Sequence, residues 1–313
     1  MQALLDTIAA LAGMPTDAQR LFHGRGGLHP GCEHLTLDAY PPVLLLTSFK
    51  PLPEAQVAVV GDALARRWQA IAPEGPALSW VLQCRQEGGR VETRLMAGAV
   101  PEPHVVAEAG APGTRYLVHL LRGQNHGLFL DMAEGRRWVR GHVVPGAKVL
   151  NLFAYTCAFS VVALQAGAAE VVNVDMASGA LATGRTNHEL NGVKAGAKFL
   201  AHDIFNSWGK LTRGGPYDLV ICDPPSFQKG SFVASKDYAR LARRLPGLLA
   251  PGGQALLCLN APELGVDFLR DAVAEHAPEL VFAGRVANPA AFTDVSPERA
   301  LKVLAYRMPD PGA

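Results

Sequence analysis

Over the second half of the chain, short apolar runs alternate with segments whose apolar residues recur at helical spacing. Lys148 to Leu152, Glu170 to Val174, Lys198 to Ala201, Tyr217 to Cys222 and Gln254 to Leu259 read as strands. Between them, Phe159 to Ala166 (stopped by Gly167) and Ala177 to Leu190 (ending at Asn191-Gly192) read as helices. So does Tyr238 to Leu249, kinked at Pro246 and closed by Pro251-Gly252-Gly253, and a last helix covers Val266 to His276. Repeated strand–helix alternation predicts an α/β fold, a doubly wound and mostly parallel sheet with helices on both faces.

The first part reads differently. Leu35 to Tyr40 and Val43 to Thr47 are strand patterns around Pro41-Pro42, and Ala55 to Ala72 places Val57, Val60, Ala63, Leu64 and Trp68 at helical spacing. Trp80 to Cys84 and Val91 to Met96 flank Glu87-Gly88-Gly89, a hairpin signal. Pro101 to Gly113 is rich in Pro, Gly and Ala, and a new apolar segment, Tyr116 to Leu120, follows it. These features predict a small α+β domain over 1–118, with a substrate-binding role open to it, and a second domain over 119–313.

A chain of 313 residues, 49% of them hydrophobic, can build one large or two modest cores. Its net charge is +1, so it lacks the global basic signature of a protein that grips nucleic acid through net charge. Any phosphate contact must come from local patches. The five cysteines (Cys32, Cys84, Cys157, Cys222, Cys258) are scattered and show no CxxC spacing. That usage fits reduced thiols of a cytoplasmic protein and no metal site. No apolar run reaches membrane length, and Met1 to Phe22 lacks the pattern of a secretory signal, so neither a membrane nor export is expected.

In a doubly wound sheet, ligands sit at the carboxyl ends of the strands beside the topological switch point. Four strand ends carry polar or unusual residues: the turn Asn151 to Ser160, Asp175, His202-Asp203, and Asp223-Pro224-Pro225-Ser226-Phe227. Asp175 lies about twenty residues past the first turn, the spacing at which a carboxylate accepts from ribose hydroxyls. Asp203, one strand further across, is placed to accept from an adenine amine. The competing reading is a helix cap or turn role for each Asp, although Ser178 is the better cap candidate for the helix after Asp175. The first turn has no Gly-x-Gly-x-x-Gly and the chain no Walker-type loop, which counts against NAD, FAD and ATP and for a phosphate-free nucleoside cofactor. Two prolines after Asp223 remove N–H donors and hold nearby carbonyls out of the sheet, where a planar substrate's amine can reach them, with Phe227 offering a stacking face.

These segments resemble class I S-adenosylmethionine-dependent methyltransferases. The matching residues are Asn151-Leu152-Phe153-Ala154-Tyr155-Thr156, Val174-Asp175 with Asn187 and Asn191-Gly192, and Asp223-Pro224-Pro225-Ser226-Phe227. The group most similar is the bacterial large-subunit rRNA methyltransferases that make 5-methylcytosine or 7-methylguanine. Gly123 to Asp131 is similar to that group's cofactor-covering segment, and the resemblance extends over about residues 115 to 305. It implies a seven-stranded Rossmann-like sheet and S-adenosyl-L-methionine as cofactor. It further implies that Phe129 and Asp131 close over the cofactor and that Asn151, Phe153, Ala154, Tyr155 and Thr156 border its methionine part. Asp175 with Met176 would hold the ribose side, Asp203 with Ile204 the adenine, and Asp223 both cofactor and target base, beside Pro224, Pro225 and Phe227. The chain departs from the group at Cys157-Ala158, where glycine and a small residue usually let the backbone approach the cofactor; the cysteine narrows that turn.

The acceptor follows from a thiol that is out of place. Cytosine C5 methylation needs a thiolate adding at C6. In the 5-methylcytosine members that thiol follows the strand after the Pro-Pro motif, where this chain has Asn260; Cys258 falls about two positions early and deeper in the sheet. The reading therefore leans to a guanine nitrogen of RNA, and of rRNA in particular. Cytosine C5, a protein or small-molecule acceptor, and a cofactor-binding protein without turnover are the alternatives. Candidate RNA contacts are Arg136, Arg137 and Arg140 beside Trp138; Lys229, Lys236, Arg240, Arg243 and Arg244; and Arg20, His23 and Arg25. The oligomeric state is left open, a homodimer included.

Overall fold

The computed structural model describes residues 1–110, 113–225, 227–228 and 232–310, and only the backbone of Glu87, Phe227 and Gln228. The chain divides into two compact units, Met1–Leu130 with Pro289–Ser296 and Asp131–Asn288 with Pro297–Ala313.

In chain order the first unit comprises α1 (Gln2–Ala9), β1 (Gln19–His23), β2 (Leu35–Tyr40), β3 (Val43–Ser48), α2 (Glu54–Ile71), β4 (Ser79–Arg85), β5 (Val91–Ala97), β6 (His104–Glu108) and β7 (Thr114–Val118). Strands β1 to β5 form a sheet in sequence order, antiparallel except for β3 and β4, which α2 joins as a crossover. Period-two alternation sends Leu35, Leu37, Leu44, Leu46, Trp80 and Leu82 to one face, where Leu4, Ile8, Val57, Val60 and Leu64 of the helices cover them. Residues between those apolar positions include Thr36, Asp38, Thr47 and Gln83, all buried and polar. The stretch 101–113, read as Pro-, Gly- and Ala-rich connection, contributes β6, which pairs with β7 as a hairpin. The unit continues past residue 118 because the chain beyond β7 bonds back to it. His119 N donates to His126 O, while the Gln83 and Arg85 side chains donate to Gly123 O and Gln124 O.

The second unit comprises α3 (Ala133–His142), β8 (Lys148–Leu152), α4 (Ala158–Gln165), β9 (Glu170–Asp175), α5 (Ser178–Leu190), β10 (Ala197–Ala201), α6 (Trp208–Gly214), β11 (Tyr217–Cys222), β12 (Phe227–Gln228), β13 (Phe232–Val233), α7 (Ala234–Ala242), β14 (Leu249–Leu259), α8 (Val266–His276), β15 (Val281–Val286) and β16 (Lys302–Arg307). Its seven-stranded sheet has the order β10-β9-β8-β11-β14-β16-β15. The first five strands are parallel, and β16 runs antiparallel to both its neighbours. Two buried clusters cover the sheet faces, one centred on Leu150, Val220, Leu257 and Tyr238, the other on Val149, Ile221, Leu256 and Val162.

The helix expected over Tyr238 to Leu249 is shorter and starts earlier, at Ala234, ending at Ala242. Pro246 disfavours helical geometry at the residue before it, and the chain turns instead. Pro251-Gly252-Gly253 does not close a helix but lies within β14, where pairing to β11 jumps from Tyr217↔Leu249 to Leu219↔Gln254.

Candidate functional site

Four strands end side by side where the strand order reverses between β8 and β11. Leu152 pairs with Val174 on one side and Cys222 on the other, and Asp175 pairs with Ala201. The ends of these strands and the segments that follow them, carrying Asn151 to Thr156, Asp175 and Met176, Asp203 and Ile204, and Asp223 to Pro225, therefore lie along one edge of the sheet.

The turn after β8 is strained. Phe153, Tyr155 and Cys157 have φ of 57°, 46° and 61°, a left-handed conformation that costs a side-chain-bearing residue about 1–2 kcal/mol. The surroundings hold it. Ala154 N donates to Val174 O at 3.1 Å, Cys157 N to Ala154 O at 2.7 Å, and Asn187 Nδ2 to Thr156 O at 2.9 Å. Phe153 packs edge-on against Phe232, with ring centres 5.3 Å apart. Cys157 is fully buried beside Ala154 and Leu181. Its Sγ lies 2.6 Å from where a Cβ on Gly184 would stand. The cysteine thus turns its side chain into the space that a glycine on α5 leaves open.

Asp175 accepts from both sides, from Tyr155 N at Oδ2 and from Ala177 N at Oδ1, each at 2.8 Å. Ser178 is not the cap expected of it: it is the first residue of α5, and Ala177, whose side chain has no acceptor, holds the cap position, with its N–H bonded to the Asp175 carboxylate. Asp203 repeats the arrangement, with Oδ1 accepting from Phe205 N at 2.7 Å and Oδ2 from Asn206 Nδ2 at 2.8 Å. A carboxylate has about four acceptor positions, so a turn role and a ligand role are compatible in both. Met176 is 53% exposed, and Ile204 is buried in the sheet's core.

Behind the turn runs a buried polar chain that sequence reasoning missed. Asn151 Nδ2 donates to Asn173 Oδ1, Asn173 Nδ2 to Ser160 Oγ, and Ser160 Oγ pairs with His188 Nε2. His188 Nδ1 in turn contacts Gly184 O. The signal available was four polar residues at otherwise apolar positions. Asn151 Oδ1 is buried without a hydrogen-bond partner among the described residues.

The end of β11 carries the most perturbed acid. Burial raises the Asp223 carboxyl to about 7; Asp131 adds to the rise, while Arg136 and a hydrogen bond with Cys258 oppose it. Burial and the adjacent Asp223 hold the Cys258 thiol well above its ordinary range. Cys222 is pushed up to about 12 by burial and Asp223. The buried Tyr238 hydroxyl donates to Cys258 O. Pro224 is buried and Pro225 half-buried. Ser226, Lys229 and the Phe227 side chain lie outside the described residues. Phe129 belongs to the first unit and is 41% exposed.

Arg136 departs from its expected role as an RNA contact. It is 2% exposed because α3 buries the face that carries Gly135, Arg136 and Val139, and its charge acts on Asp223. Arg137 instead pairs with Glu134, and Arg140 donates to Gln165. On α7, Arg240 stacks on Phe205 at 3.9 Å and pairs with Asp237. Lys302, the first residue of β16, is buried and donates to the carbonyls of Ala261, Leu264 and Glu298. Among the described residues, no group of three or more His, Cys, Asp or Glu could hold a metal ion, and no helix is long and apolar enough to cross a membrane.

A family model described as S-adenosylmethionine-dependent methyltransferase matches residues 19–307. The chain is 34% identical over 237 residues to ribosomal RNA large subunit methyltransferase I of Aeromonas hydrophila, a match covering 72% of this chain and 57% of that protein. It is 33% identical over 262 residues to the protein of the same name from Photobacterium profundum, covering 80% of this chain and 62% of that one. The chain thus spans less than two thirds of the length of these relatives. The crystal structure of SMU.776 complexed with SAH superposes with a TM-score of 0.80 at 26% identity, over 98% of this chain and 80% of that one.

Proposed function

Because the chain belongs to the S-adenosylmethionine-dependent methyltransferase family, we propose that it methylates a base of ribosomal RNA, with a guanine nitrogen as acceptor, in the cytoplasm. The observation that carries the acceptor is the state of Cys258, buried, hydrogen-bonded to Asp223 and held as a thiol. Addition at cytosine C6 needs a thiolate, and a nitrogen acceptor needs none. The named relatives act on large-subunit ribosomal RNA by their descriptions, which supports RNA as the substrate class.

The strand-end residues fit the cofactor. The carboxylates of Asp175 and Asp203 follow neighbouring parallel strands, each with acceptor capacity left for hydroxyl or amine donors. No glycine-rich phosphate turn is present, and none is required by a group without phosphate. We assign Asp175 and Met176 to the ribose side, and Asp203 and Ile204 to the adenine. Asn151, Phe153, Ala154, Tyr155 and Thr156, with Asp131 and Phe129, are assigned to the remainder. Bound S-adenosylmethionine supplies a methyl carbon already activated by its sulfonium. The protein's task is then alignment, worth several kcal/mol. The turn held by Val174 O, Asp175 and Asn187 keeps the cofactor side rigid. Asp223, with the Pro224-Pro225 lip and Phe227, takes the base: its carboxylate accepts from the base's N–H edge and, where the attacked nitrogen carries a hydrogen, receives it. A carboxyl raised to about 7 can exchange that proton near neutrality.

Titrating the binding of a large-subunit rRNA fragment against salt tests the substrate class. An RNA acceptor gives a steep fall in affinity with salt, because phosphate contacts release counterions; a shallow slope would favour a protein or small-molecule acceptor.

A further inference from the structure

Lys302 places an amine inside the second unit, and its bonds end on one short stretch of chain and on its own turn. Nζ donates to Ala261 O and Leu264 O, both at 2.7 Å, and to Glu298 O at 3.0 Å. Three carbonyls around one nitrogen use all three N–H groups of an ammonium. Burying that charge is unfavourable, and an apolar side chain of similar reach would fill the space without the penalty. What the ammonium adds is a fixed place for each carbonyl. Glu298 acts on the residue at the start of α8, where its Oε2 accepts from Val266 N at 2.6 Å and a carboxylate suits the helix dipole. Arg285 steadies the same segment through Glu298 Oε1 at 3.5 Å and Pro297 O at 2.8 Å. The connection between β14 and α8 is thus held at Ala261, Leu264 and Val266 by residues 297–302.

That connection begins beside the Pro224-Pro225 lip. Strand β14 lies next to β11, on the side away from β8, β9 and β10. Cys222 pairs with Leu257 in parallel, so the register carried on sets Asp223 level with Cys258 and Pro224 level with Leu259. The hydrogen bond between Asp223 and Cys258 agrees with this. On its other side β14 pairs Leu259 with Lys302. Leu259 and Ala261 are buried, whereas Asn260 between them is exposed. Its backbone is therefore fixed on both sides, by the ladder at Leu259 and by Lys302 at Ala261, while the residue itself stands at the surface.

We propose that Lys302 is a positioning residue for methyl transfer, acting through Asn260, whose amide contacts the target base at the Pro224-Pro225 lip. The amide carries a donor and an acceptor in one plane, which suits the edge of a base and needs no charge. The inference rests on the RNA reading above and adds the chain after β14 to the acceptor side. The residues assigned to ribose and adenine follow β9 and β10, two and three strands away from β14. Base placement and cofactor binding are therefore separable by substitution.

The test is a double-mutant cycle on the full chain with Asn260→Ala, Lys302→Met and the two combined. Methyl transfer to large-subunit rRNA gives kcat/KM for the RNA, S-adenosylhomocysteine calorimetry gives cofactor affinity, and thermal melting fixes the temperature at which each variant is folded. The expected result is a loss in kcat/KM of roughly tenfold for Asn260→Ala and at least as much for Lys302→Met, with cofactor affinity unchanged in both. The combined variant is expected to be no worse than Lys302→Met alone, because one residue acts through the other. Should Lys302→Met not fold, Glu298→Ala replaces it, with a smaller loss expected that again disappears in the Asn260→Ala background. Wild-type kinetics in Asn260→Ala, or losses that multiply in the combined variant, overturn the inference and leave the RNA reading standing. Absence of transfer to rRNA by the wild type overturns both.

Discussion

The sulfur of Cys157 fills the space left by the missing side chain of Gly184. A Cβ added at Gly184 would stand 2.6 Å from Sγ and 3.1 Å from Cys157 Cβ, while Cys157 itself is held at φ 61°. The two residues are therefore coupled: a methyl on one is tolerated only when the side chain of the other is gone. Gly184→Ala is expected to destabilise the protein by about 1–3 kcal/mol through overpacking. In a Cys157→Gly background the same change meets no sulfur and should become neutral or stabilising by up to about 1 kcal/mol, since alanine is the better helix residue. Denaturant midpoints of the four variants test this; an equal penalty in both backgrounds rules the coupling out. The same packing turns Cys157 inward, so the usual glycine is replaced without placing a side chain along the strand-end edge.

Asp223 links stability and turnover to pH with opposite signs. Its carboxyl titrates near 7 in the fold and near its ordinary 3.8 when unfolded. The folded state therefore binds the extra proton between these values, and stability falls as pH rises from about 4 to 7. In the proposed role of Asp223, turnover is expected to move the other way, because only the ionised carboxylate accepts from the base. Asp223→Asn should raise the melting temperature at pH 8, flatten its pH dependence between 4 and 7, and lower methyl transfer by at least tenfold. A variant no more stable than wild type at pH 8 would contradict the raised carboxyl of Asp223.

Asp175 bonds Tyr155 N and Ala177 N and thereby joins the β8 turn to the start of α5. Asp175→Ala should abolish detectable cofactor binding in calorimetry. Asp175→Asn keeps an acceptor at one position and should retain weakened binding. Undiminished affinity in Asp175→Ala removes the ribose assignment.

Cys258 is sealed beneath Asp223 and Tyr238. Cys258→Ser is expected to leave RNA methylation within a few-fold of wild type, as a packing residue would. Complete loss of transfer with an unchanged melting curve would falsify the nitrogen reading and restore cytosine C5.

What the sequence made legible were features that local pattern controls. The apolar runs before Asp175, Asp203 and Asp223 define strands, and an acid after such a run is visible without knowing its neighbours. The parallel sheet with strand ends in register follows from the alternation itself. Features set by contacts distant along the chain were not legible. Which face of α3 is buried decides that Arg136 faces Asp223 instead of solvent, and nothing local marks it, since Arg136, Arg137 and Arg140 look alike in sequence. Ser178 has the composition of a cap, but the helix starts one residue earlier than a Ser178 cap requires, with Ala177 at the cap position. Pro251-Gly252-Gly253 carries the composition of a turn, yet β14 runs through it because β11 pairs on either side.

The most direct test of the account is mass spectrometry of rRNA nucleosides after incubating the purified protein with large-subunit rRNA and S-adenosylmethionine carrying a deuterated methyl group. The account predicts a deuterated methylguanosine, absent with Asp223→Asn. Label in 5-methylcytidine would contradict the acceptor assignment, and no label in RNA from protein that binds the cofactor would contradict the proposed function itself.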